Sequence, residues 1–113
     1  MADTEARTEL DRALIDEIVQ RVLSVTEPDR IILFGSAATG NMTRDSDIDL
    51  LVVERNPGDR RLESIQIDKA LGDLGYAFDI IVLERDWFEA SKTVIGGIAY
   101  PAHQYGKVIY EAA

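Results

Sequence analysis

The sequence contains no cysteine, which excludes disulfides and thiolate metal centres. No apolar run is long enough to span a bilayer. The opening MADTEARTEL is polar and acidic, unlike a secretory signal, so the cytoplasm is the expected location. Positive charge is scarce: 12 Lys and Arg stand against 21 Asp and Glu, a net charge of −9. That balance speaks against broad electrostatic binding to nucleic acid or to an anionic membrane. It does not exclude a nucleotide, because bound cations reverse the local field. Histidine occurs once, at His103, which reads as a surface or interface residue. Internal repeats, low-complexity tracts and interdomain linkers are also missing. The 113 residues fit a single domain with one modest core, and residues 1–7 read as a frayed start.

What is present alternates between helical and strand patterns. Leu10, Leu14, Ile18, Val22 and Val25 recur at helical spacing, with Thr8 as N-cap and Pro28 as stop. Arg30 to Phe34 is a short apolar run bounded by turn residues, hence a buried strand. Ser36 to Gly40 reads as a short helical turn, Asn41 to Ser46 as a polar loop and Ile48 to Glu54 as a second strand. Asn56-Pro57-Gly58-Asp59 is a turn. Arg60 to Leu74 reads as a helix with Leu62, Ile65, Ala70 and Leu74 near one face and Gly75 as C-terminal cap. Ala77 to Leu83 is a third strand, Asp86 to Ser91 a short helix, Pro101 the start of a last helical turn and Lys107 to Tyr110 a final strand. The expected fold is a small α/β (α+β) domain, a mixed sheet with helices largely on one face.

Gly35-Ser36 ends the first strand, and ten residues later Asp47-Ile48-Asp49 opens the second. Side chains alternate across a strand, so Asp47 and Asp49 share a face, their Cα atoms roughly 6.5–7 Å apart. Two like charges on one strand repel and resist desolvation, and a bound cation removes both penalties. Mg²⁺ suits such a place, because it prefers a few carboxylates, waters and phosphate oxygens to a full protein cage. Asp79, inside the apolar run Phe78-Asp79-Ile80-Ile81, is the third candidate ligand if its strand lies beside the second. Three such carboxylates hold two metals about 3.5–4 Å apart, the arrangement for in-line displacement at phosphorus. Gly35 permits close backbone approach, and the following amides with the Ser36 hydroxyl suit the β- and γ-phosphates of ATP.

The stretch Phe34-Gly35-Ser36 through Asp47-Ile48-Asp49-Leu50 resembles the signature of the DNA polymerase β-type nucleotidyltransferase superfamily. The short length is similar to its minimal nucleotidyltransferase (MNT) branch, the antitoxin half of HEPN/MNT toxin–antitoxin pairs. The resemblance extends to Phe78-Asp79-Ile80-Ile81 and to the tail from Tyr100 to Tyr110. It implies that ATP and magnesium are used and that AMP passes to a tyrosine hydroxyl of a HEPN ribonuclease toxin, bound tightly as partner in a hetero-oligomer. It also implies Gly35 and Ser36 as triphosphate contacts and Asp47, Asp49 and Asp79 as metal ligands and catalytic residues. Relatives often carry arginines where this chain has Ala37 and Thr39, with Arg44 a substitute charge in the loop. Two further readings stand beside this one. The first is an antitoxin of the same fold that silences its toxin by binding alone. The second is an antibiotic-modifying nucleotidyltransferase, whose relatives usually add a helical domain.

Overall fold

The structure is a computed structural model and describes residues 11–40 and 46–113. Its elements follow in the order α1 (Arg12–Leu23), β1 (Arg30–Phe34), α2 (Ser36–Thr39), β2 (Ile48–Glu54), α3 (Arg60–Leu71), β3 (Phe78–Glu84), α4 (Arg85–Ser91), α5 (Ala99–Tyr105) and β4 (Lys107–Glu111). The four strands form one sheet in the order β3-β2-β1-β4. β1 runs antiparallel to β2 and β4, and β2 runs parallel to β3, so the sheet is mixed as expected. Among the described residues no helix is long and apolar enough to cross a membrane.

Strand alternation decides the layering. Ile31 and Leu33 of β1, Ile48, Leu50 and Val52 of β2 and Val82 of β3 face one side. There they pack on Ile18 and Val22 of α1 and Ile67 and Leu71 of α3, all fully buried. Arg21 of α1 fastens the two helices, donating to Ala70 O of α3 at 2.8 Å and pairing with Asp73. The intervening strand residues Ile32, Leu51, Val53 and Leu83 face the other way, onto Phe88 of α4 and Ala99 and Ala102 of α5. Arg30 fixes α4 against β1: its Nη2 donates to Glu89 at 2.8 Å, and its guanidinium lies 5.8 Å from the Phe88 ring centre. The two long helices thus share one face, as expected, and the short α4 and α5 cover the other, because β2 is apolar on both sides.

Two boundaries and one helix face also differ from the sequence reading. Thr8 and Leu10 lie outside the described residues; within them, Asp11 caps α1 by accepting from Leu14 N at 2.8 Å. Helix α3 ends at Leu71 with Gly72 as its cap, while Gly75 occupies a left-handed turn residue beyond it. Leu62 and Ile65 are 51% and 46% exposed, and Ile67 and Leu71 carry the buried face instead. The capping Asp59, which accepts from Arg61 N and Leu62 N, sets that rotation together with the burial of Ile67.

Candidate active site

The carboxylates gather at the end of the sheet where β1 finishes and β2 and β3 begin. Asp49 is the second residue of β2, and its register partner across the parallel pair is Asp79 of β3. Neighbouring strands stand about 4.8 Å apart, so these two side chains rise from the same row of the same face. Asp47 precedes β2 by one residue, and its charge acts on Asp49. The face they share is the α4–α5 face, since Leu51 and Leu83, two and four residues further on, belong to that core. The parallel register thus brings Asp49 and Asp79 onto one face, with Asp47 two residues before Asp49.

The field at the cluster is strongly negative. Partial burial raises the Asp49 pKa above the ordinary carboxylate value, and the charges of Asp79 and Asp47 raise it further. Asp49 is half-buried, whereas Asp47 and Asp79 are exposed. Among the described residues no three His, Cys, Asp or Glu side chains are drawn together tightly enough to hold a metal ion in the geometry seen. The donor chemistry nonetheless fits a hard divalent cation: oxygen ligands only, two of them open to solvent, and one disfavoured as a lone anion.

On the other side of Asp49 stands β1. Phe34 is its register partner, and Gly35 follows at the strand end with φ +68°. A Cβ at Gly35 would overlap Asp49 Oδ2 and stand 3.3 Å from its Cγ. Glycine is thus required twice here, by the backbone angle and by the carboxylate lying against it. The chain then turns into α2, which places Ser36 at its first position beside the acidic row. Ala37 is buried in the α1–α3 core. Thr39 Oγ1 lies 3.4 Å from the carbonyls of Gly35 and Ser36. Neither position offers a cation to a phosphate, and Arg44 lies outside the described residues.

The packing of Gly35 on Asp49 escaped the sequence reading, since it depends on β1 and β2 being antiparallel neighbours. A second carboxylate feature escaped it too. Glu54, at the far end of β2, is 5% exposed and accepts from Thr26 Oγ1 at 3.0 Å. Burial, with the Glu63 carboxyl of α3 acting on it, pushes the Glu54 carboxyl up to about 7. The only signal in the sequence was an acidic residue closing an apolar strand. His103 is exposed, as expected, while Phe88 is core and Trp87 stays 47% exposed.

Comparison with known proteins bears on the fold and the family. No curated protein sequence matches the chain significantly. Among solved structures, a chain of a toxin–antitoxin complex with AMP-PNP superposes with a TM-score of 0.69 at 21% identity, covering 87% of this chain and 73% of that one. A chain of a toxin–antitoxin MntA-HpeT mutant gives a TM-score of 0.66 at 18% identity, over 87% of this chain and 73% of the other. A chain from the complex of tri-AMPylated Shewanella oneidensis HEPN toxin with MNT antitoxin gives 0.64 at 17% identity, over 91% of this chain and 74% of the other. At such identities the likeness is one of fold. The nucleotidyltransferase domain family model, in contrast, matches the sequence itself over residues 12–100 and so takes in β1, β2 and β3 with every candidate site residue; the chain belongs to the nucleotidyltransferase domain family.

Proposed function

We propose that the chain is a Mg²⁺-dependent nucleotidyltransferase that moves AMP from ATP to a hydroxyl of a protein partner, a tyrosine of a HEPN-type toxin, and so acts as an antitoxin. The observation that carries this reading is the register of Asp49 with Asp79, with Asp47 two residues before and Gly35 packed on Asp49. The fold neighbours supply the rest of the support: one was solved with AMP-PNP, another as an AMPylated HEPN toxin with its MNT antitoxin.

Asp47, Asp49 and Asp79 would hold the magnesium, which when bound supplies positive charge for the phosphates and for the attacking oxygen. The chain's residues do the rest. The Gly35 turn and the Ser36 hydroxyl receive the β- and γ-phosphates, which leaves the α-phosphorus over the acidic row. Asp79, at the exposed edge of that row, faces the incoming hydroxyl and takes its proton. The hydroxyl oxygen bonds to the α-phosphorus, the bond from that phosphorus to the α–β bridging oxygen breaks, and pyrophosphate leaves with its electron pair.

A second reading has an observation of its own. Ala37 is buried and the Thr39 hydroxyl lies near backbone carbonyls, so the positions where relatives often hold arginines give no cationic grip. A chain weak in turnover would then silence its toxin by binding. Incubation with ATP labelled at the α-phosphate, Mg²⁺ and the HEPN-type product of an adjacent gene separates the two. Label on the partner, lost in the Asp47→Asn, Asp49→Asn double variant, supports transfer. A tight complex without label supports occlusion.

A further inference from the structure

Strand β3 closes one side of the sheet, and its outer edge carries no strand among the described residues. Its backbone polarity follows from one bond: Ala77 O accepts from Ile48 N at 2.8 Å, so the amide and carbonyl of Ala77 point toward β2. Alternation turns those of Phe78, Ile80 and Val82 outward. No hydrogen bond joins these outward groups to another described backbone group. Such an edge is a template for a further strand unless it is blunted by proline, lysine or a bulge, and β3 (FDIIVLE) has none of these.

The edge is also lined. Arg60, Arg61 and Ser64 of α3 stand along Ile80–Leu83 and bound a groove of about 630 Å³. Both arginines are exposed, and no ion pair engages either among the described residues. Other arginines of this acidic chain are paired: Arg21 with Glu17 and Asp73, Arg30 with Glu89, Arg85 with Asp86. Asp59, the acid lining the groove, is occupied in capping the positive end of α3. Arg60 also borders a second cavity of about 450 Å³ with Pro57 and the exposed Trp87.

We propose that the outer edge of β3 docks an extended acidic segment of a partner protein. The segment adds as a fifth strand through the backbone of Ile80 and Val82, sets carboxylates on Arg60 and Arg61, and seats an apolar residue against Trp87 and Pro57. Main-chain bonds supply affinity and the alternate side chains supply choice, as in other strand additions. Charge complementarity names the occupant: two unpaired cations beside a bare edge, on a molecule whose net charge of −9 would otherwise repel acids. The site is distinct from the acidic row: its arginines stand on α3, which packs on the opposite face of the sheet from Asp49 and Asp79.

The test uses an end-blocked peptide of alternating glutamate and valine ending in leucine, with a lysine-for-glutamate version as control. Calorimetry with the full chain should give saturable binding of the glutamate peptide and at least tenfold weaker binding of the lysine one. Arg60→Glu with Arg61→Glu should weaken the former at least tenfold, and hydrogen exchange should slow at the Ile80 and Val82 amides. A glutamate peptide N-methylated at alternate residues, which cannot pair on one edge, should not bind; this control leaves the protein unchanged. Equal affinity for both charges, undiminished binding of the methylated peptide, or no binding at millimolar concentration would overturn the proposal. So would dimerisation through this edge, which would assign it to a second copy of the chain.

Discussion

Asp49 stands between two neighbours that constrain it differently: Asp79 opposes it across the parallel β2–β3 pair, and Gly35 presses its backbone against the carboxylate from β1. The first neighbour adds like charge and the second leaves no room for a side chain. A group so placed is costly to keep ionised, and its raised pKa records that cost.

Asp49→Asn should raise thermal stability at neutral pH while removing nucleotidyl transfer. The folded-state pKa lies above the ordinary value, so the charged form is disfavoured in the fold, and a neutral isostere removes the repulsion from Asp79 and Asp47. Melting curves with and without Mg²⁺ check this: the variant should melt above the wild type without the ion, and the gap should narrow with it.

Gly35→Ala should lower both activity and stability. Its φ of +68° belongs to glycine, and the added methyl would overlap Asp49 Oδ2. The strain is worth about 1–3 kcal/mol, measured by denaturant unfolding. Ser36→Ala should spare stability and weaken ATP binding, which calorimetry reads separately.

Glu54 gives a pH dependence. Its carboxyl is pushed from 4.5 to about 7 by burial and by Glu63. The folded state therefore holds a proton that the unfolded state releases. This contribution is whole below pH 4.5, declines through the window from 4.5 to about 7 and is gone above it. Glu54→Gln should flatten that decline, with a difference on the order of 3 kcal/mol between the ends of the window. Urea unfolding of both proteins from pH 4 to 8 measures it.

Helix α3 supplies a contrast between residues of equal hydrophobicity. Leu71→Ala should cost about 2–5 kcal/mol, because the side chain is fully buried. Leu62→Ala, half-exposed in the same helix, should fall within about 0.5 kcal/mol of wild type.

The contrast also marks where sequence reading works and where it stops. The strands were legible because Ile31 to Phe34 and Leu50 to Val53 are apolar runs fenced by turns, and the acidic pair was legible because alternation alone puts Asp47 and Asp49 on one face. The phase of α3 was not legible: Leu62, Ile65, Ile67, Ala70 and Leu71 are spread around the helix, and only the Asp59 cap and contact with α1 choose between faces. The second helical layer was hidden for a related reason, since α4 and α5 are 7 residues each and too short to declare a periodicity. Strand order lies beyond local pattern, so the neighbours of Asp49 emerged only with the sheet.

The central claim is that three carboxylates from two adjacent strands act as one catalytic unit. Intact mass of the HEPN-type partner after incubation with ATP and Mg²⁺ tests it most directly, using wild type beside an Asp79→Asn variant whose circular dichroism matches wild type. A partner heavier by one or more AMP units with wild type and unchanged with the variant is the expected result. Equal AMP addition by both proteins would contradict the account.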